Sequence, residues 1–112
     1  MPERHPMVVT TTESIPGYRI TAILGVPVGS TVRSKNVGKD IGAGLKSLVG
    51  GELKSYSTML IEARAEALSR MTAQAEALGA DAVVNLRFMT SAVAAGASEI
   101  LAYGTAVTAE AA

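Results

Sequence analysis

Hydrophobic positions recur every second residue at the start of the chain, every third or fourth in its middle and every second again at its end. That succession predicts strands, then helices, then strands. Met7 to Thr12 (MVVTTT) is rich in β-branched residues and reads as a strand. Pro16-Gly17 interrupts it. In Tyr18 to Val26 (YRITAILGV), Tyr18, Ile20, Ala22 and Leu24 alternate with Arg19, Thr21 and Ile23, and after Pro27 extended structure resumes from Val28 to Arg33. One bent strand or two consecutive strands are expected, with Pro27 at an edge or bulge.

From Asn36 the period becomes helical, with Ile41, Leu45, Leu48 and Val49 on one side. Asn36 suits an N-cap and Asp40 the first turn. Gly42 and Gly44 weaken this short helix by about 1 kcal/mol each relative to alanine, and Gly50-Gly51 ends it. A second helix is predicted between Glu52 and Leu78, where there is no Gly or Pro. Its apolar line is Tyr56, Leu60, Ala63, Ala67, Met71, Gln74 and Leu78, widened by Leu53, Ile61, Leu68 and Ala75. At about 1.5 Å per residue it exceeds roughly 35 Å, more than a domain of this size is thick. One end or face is therefore expected to reach a neighbour. Gly79 is the expected left-handed stop.

Asp81 to Phe88 (DAVVNLRF) is expected to place Val84, Leu86 and Phe88 on one face and Asn85 and Arg87 on the other. Glu99 to Thr108 is a second strand of similar length, and Gly104 within it suggests a bulge or a close backbone approach. Between them the small residues Ser91 to Ser98 read as a flexible hairpin connection. The order β-β-(β)-α-α-β-β predicts an α+β fold, with an antiparallel or mixed sheet packed against one long helix plus a shorter one. Residues 1–6 are expected to form a disordered tail and 7–112 a single domain.

Composition adds a pressure toward association. The chain has 112 residues, about one domain's worth. It is 48% hydrophobic, yet it holds no Trp and one Phe, so its apolar bulk is Ala, Val, Leu and Ile. A single copy would leave much aliphatic surface in water, and self-association is the simplest remedy. Ten basic and ten acidic residues balance, which leaves no global field to draw in nucleic acid or a membrane. With no Cys, disulfides, thiolate nucleophiles and thiolate metal sites are excluded. The start, MPERHPMVV, lacks the long apolar run of a signal peptide, and a cytoplasmic location is expected.

The candidate chemistry is sparse. The one histidine, His5, lies in the tail beside Pro6. Glu62, Glu66, Asp81 and Glu99 are the carboxylates that could hold a metal, although Arg70 follows Glu66 at the next helical turn and favours an ion-paired ladder. Gly38-Lys39 fails as a phosphate loop, since Arg33 stands where its first glycine is required and Asp40 where its hydroxyl is. Arg33, Lys35 and Lys39 nevertheless gather where a helix N-terminus would favour an anion. Gly50, Gly51, Tyr56 and Arg64 could line a polar cleft, and an enzyme site at a subunit junction there is an alternative. Without an ordered histidine no activating base is evident. The expectation is a non-enzymatic protein that requires no cofactor.

Several runs together carry a resemblance: Gly50-Gly51 with Tyr56, then Glu62-Ala63-Arg64, then Leu78 to Val84 (LGADAVV), and finally Tyr103 to Val107 (YGTAV). In this order and spacing, from about Val8 to Thr108, the chain resembles the YbjQ-like family, an uncharacterised group labelled heavy-metal-binding. The resemblance implies an α+β subunit similar to the dodecin-like class, assembled into a ring of five, with no established catalytic activity. The partner it implies is the chain itself.

Overall fold

The computed structural model describes residues 7–34 and the backbone from residue 51 onward, with side chains from 57. The helix expected after Asn36 lies outside the described residues, as does the expected tail. Five strands and one helix are present among those described: β1 (Val8–Val9), β2 (Tyr18–Gly25), β3 (Val28–Ser34), α1 (Gly51–Ala77), β4 (Ala82–Ala94) and β5 (Ala97–Ala111). The fold is α+β with a mixed sheet in the order β1-β4-β5-β2. Both β2 and β3 pair antiparallel with the side of β5 opposite β4, β2 along its last third and β3 along its first half. Only the two-residue β1 runs parallel to its neighbour, β4.

The long axis of the molecule is set by β5. Fifteen residues at about 3.4 Å each span roughly 50 Å, and the principal extents are 57 × 26 × 23 Å. The segment 91–98, expected as a flexible connection, is instead mostly strand. Ladder pairs continue from Ser91↔Glu99 to Ala94↔Ala97, and the turn shrinks to Ala95-Gly96, with Gly96 at φ 76°. Local composition disfavours strand here. A two-residue turn with a left-handed glycine lets the ladder close all the way to the tip, so cross-strand pairing overrides the weak propensity of Ala and Ser.

A second correction concerns the faces of β4. The ladder pairs Val84 with Thr105 and Arg87 with Tyr103, so Asn85 and Leu86 together stand opposite Gly104. This is a β-bulge, and Asn85 adopts φ 55°, a left-handed conformation that asparagine tolerates. A Cβ at Gly104 would lie 2.5 Å from Val83 Cγ1 and 3.0 Å from the Val84 carbonyl oxygen, so the bulged strand presses on a position that admits only hydrogen. The extra residue inverts the alternation. Val84 faces away from the helix, packing with Ala82 and Val107, whereas Leu86 joins the helix-side core. Simple alternation puts Val84 and Leu86 on one face.

The helix lies across β3 and β5 and touches β4 least. Its buried line is Ala63, Ala67, Met71 and Ala75, spaced by four and fully inaccessible, against Val83, Leu86, Ile100, Ala102 and Ala106 of the sheet. Three alanines in that line allow a close approach. It is closest at Gly29, where a Cβ would fall within the helix backbone, inside contact distance of the Ala67 carbonyl oxygen and the Met71 amide nitrogen. The helix ends in a Schellman arrangement: Ala80 donates its N–H to the Ala75 carbonyl at 3.2 Å and Gly79 to that of Glu76 at 2.9 Å, with Gly79 at φ 81°. Two residues later Asp81 donates its N–H to the Val107 carbonyl, and its Oδ2 accepts from the Ala109 amide, each at 2.9 Å. The helix stop therefore feeds directly into the β4–β5 ladder.

Candidate functional site

On β3, period two puts Gly29, Thr31 and Arg33 on the face toward α1. Gly29 brings the two backbones together, and the next two positions carry polar groups to the helix. Glu66 receives them. Its Oε1 accepts from the Thr31 hydroxyl at 2.6 Å and from the Arg33 guanidinium at 3.0 Å, and its Oε2 lies 3.5 Å from Arg70. Arg70 also donates to the Ser30 carbonyl at 2.6 Å, while the Val28 N–H donates to Gln74 Oε1, also at 2.6 Å. Two guanidinium groups thus share one carboxylate along the seam between β3 and α1, leaving the cluster with an excess positive charge.

The hydrogen bond from Thr31, then that from Arg33, and the nearby charges of both arginines hold the Glu66 carboxyl below its ordinary value. Because the folded pKa is depressed, the stabilisation is complete above the unfolded glutamate range and is lost as pH falls through the folded value. Its size is limited by solvent, since the Arg33 and Glu66 side chains are 29% and 37% exposed. The expected outcome is that Glu66→Gln lowers the thermal midpoint at neutral pH and flattens its fall between about pH 5 and pH 3. Parallel wild-type and variant curves over that range would show that Glu66 does not carry this dependence.

The other candidate residues do not converge on this cluster. Glu62 and Arg64 are exposed on the helix. Asp81 is engaged with the Ala109 amide at the far end of the helix. Glu99 pairs in register with Val32 and Ser91, on the sheet face opposite the helix. Among the described residues no group of three or more His, Asp or Glu could hold a metal ion. Lys35, Lys39 and Gly50 lie outside the described residues, as does the side chain of Tyr56, and Gly51 is the first residue of α1. Sequence reading singled out Arg33 and Glu66 separately, for an anion and for a metal, and missed Gly29 and Thr31. The signal was available in the two-residue spacing Gly29, Thr31, Arg33, which already places these three on one face.

The face of the sheet away from α1 is different in character. Register aligns Val28 with Tyr103 and Arg87, Ser30 with Leu101 and Met89, and Val32 with Glu99 and Ser91. Val32 is 58% exposed and Met89 52%. No helix among the described residues covers this area, which is apolar along its middle and charged at Arg87 and Glu99. No helix of the described residues is long and apolar enough to cross a membrane.

A family model described as "Putative heavy-metal-binding", that of the YbjQ group, matches residues 7–110. A UPF0145 protein of Methanoculleus marisnigri is 63% identical over 101 residues, covering 90% of this chain and 94% of the relative. UPF0145 proteins of Archaeoglobus fulgidus and Thermotoga petrophila are 60% and 58% identical over the same length, covering 94% and 95% of those relatives. Among solved structures, a protein of unknown function of the DUF74 family from Pediococcus pentosaceus superposes with a TM-score of 0.63, covering 93% of this chain and 98% of that one. At 19% identity that likeness speaks for the fold. With a family model spanning nearly the whole described chain and relatives near 60% identity, the protein belongs to the uncharacterised YbjQ/UPF0145 family.

Proposed function

We propose that the chain works as a non-enzymatic homo-oligomeric module, a ring of five as its family resemblance implies, that receives a small anionic ligand where subunits meet. The observation that carries this reading is the amount of large apolar side chain left in water. Eleven such residues, from Val8 to Val93, are 39% to 74% exposed. They amount to on the order of 1,000 Å², and a standard interface takes about 800 Å² from each partner. The elongated shape supports the same reading, because the one helix among the described residues cannot cover a sheet whose central strand is about 50 Å long. The excess positive charge of Arg33 and Arg70 around Glu66 supports an anionic ligand in preference to a cation.

Native mass spectrometry of freshly purified protein tests the assembly and any retained ligand together. A dominant species of five 11.5 kDa subunits is expected, and a stable monomer at micromolar concentration would sink the proposal. A second reading, metal binding or buffering, is favoured by the family model's description. Glu62, Glu66, Asp81 and Glu99 do not come together within one chain, so that reading needs donors from neighbouring subunits or from residues outside those described. Titration of the intact assembly with zinc and copper separates the two readings, since saturable binding is expected only for the second.

A further inference from the structure

Heavy-metal ions such as copper(I) and zinc are held by thiolate, thioether or imidazole groups, several of them converging on one point. The whole sequence has no Cys and one His, so no fold of it builds a thiolate site, and one chain offers at most one imidazole. The described thioethers do not converge either. Met71 is fully enclosed between helix and sheet. Met59 precedes it by twelve residues, roughly 18 Å along the helix. Met89 lies on the sheet face away from α1, 52% exposed, which leaves Met7, just before β1, by itself.

Carboxylates are the remaining donors, and the best placed of them is already filled by the chain's own cations. Glu66 Oε1 accepts from the Thr31 hydroxyl at 2.6 Å and from Arg33 at 3.0 Å, and Oε2 faces Arg70 at 3.5 Å. A zinc ion would need a place about 2.1 Å from one of those oxygens, beside two guanidinium groups that stay charged at any ordinary pH. Glu62, one helical turn before Glu66, would complete a pair of carboxylates, but the pair would share its cation with both arginines. Elsewhere Glu110 is paired with Arg19, and Asp81 Oδ2 accepts from the Ala109 amide. Glu99 stands on the far face of the sheet.

We infer that this chain does not share the heavy-metal role named by its family model: Arg33 and Arg70 occupy the cation position at Glu66, and the sequence holds no set of soft donors from which to build another site. The two guanidinium groups do for Glu66 what a bound ion would do. They balance its charge and tie β3 to α1, without an ion that can dissociate. Of the two readings above, the inference removes the second and leaves the first untouched.

The test uses the full chain. Wild-type protein dialysed to equilibrium against micromolar zinc, cadmium or reduced copper is expected to retain none of them, with its thermal midpoint unmoved. Arg33→Gln combined with Arg70→Gln uncovers the Glu66 carboxylate, and circular dichroism checks that the fold persists. This double variant is expected to gain a weak response to zinc, read as a midpoint that rises at millimolar ion. Adding Glu66→Gln is expected to abolish that rise. Saturable uptake of any of the three ions by the wild type overturns the inference. So does a folded double variant that responds to zinc no more than the wild type, because the arginines would then not be holding a cation's place. If the double variant fails to fold, Arg70→Gln alone, which changes a side chain 55% exposed, carries the same comparison. Native mass of each sample reports assembly separately, so metal uptake and loss of assembly are distinguishable failures.

Discussion

Gly29→Ala is expected to cost about 3 kcal/mol of folding stability, at the upper end for a single added methyl. The cost arises because the neighbour is backbone. A Cβ at residue 29 would meet the Ala67 carbonyl oxygen, the Met71 amide nitrogen and, at 2.9 Å, the Arg70 carbonyl carbon. No rotamer change moves those atoms. The strand and helix must separate, and separation also stretches the Thr31–Glu66 and Val28–Gln74 hydrogen bonds on either side. Trimming the facing side chain cannot rescue the variant, so Gly29→Ala combined with Ala67→Gly should be no more stable than Gly29→Ala alone. Urea unfolding at one fixed protein concentration measures this, so that any self-association affects wild type and variant alike. A loss under about 1 kcal/mol would mean that the helix can move away freely.

Met71→Ala is the second large effect, expected at about 3 kcal/mol. Met71 heads the fully buried side chains by volume and is the one long residue in a line otherwise made of Ala63, Ala67 and Ala75. Its alanine neighbours have no atoms to extend into the space it leaves, so the cavity persists. Met71→Leu, close in volume, is expected to cost under about 1.5 kcal/mol. The pair of variants isolates volume from chemistry. If leucine were as damaging as alanine, a specific thioether contact would have to replace packing as the explanation.

The fold was legible where one residue type has one structural use. Gly79 at the head of GADAVV announced a left-handed helix stop running into a strand, and the chain forms that Schellman turn and ladder. The long helix was legible because Glu52 to Leu78 offers neither glycine nor proline, and its observed span, Gly51–Ala77, differs by one residue at each end. The reading failed where the deciding partner was remote in sequence. Ala92 and Ala94 are poor strand residues that become strand because Ser98 and Ala97 stand opposite. Val84 and Leu86 were assigned to one face because an extra residue in one strand is invisible to a count of alternation. Gly104 marked the place of the bulge, and Asn85 supplied the residue type that tolerates it.

The candidate site follows the same division. Arg33 and Glu66 were visible as single charges, but they are 33 residues apart, and nothing local says that they meet. Gly29 decides it, by letting β3 lie against the helix backbone so that Thr31 and Arg33 reach Glu66.

By itself, then, the sequence determined the long helix and its end, the strands on either side of it, the aliphatic excess and the absence of thiol chemistry, since each follows from residues acting over a few positions or from composition alone. The tertiary structure decided the strand order, the bulge that inverts β4 and the charge cluster at the β3–α1 seam. Each of these depends on which distant segments lie side by side, and pairing of that kind is set by the summed packing of the whole sheet and helix, which no short stretch of chain encodes.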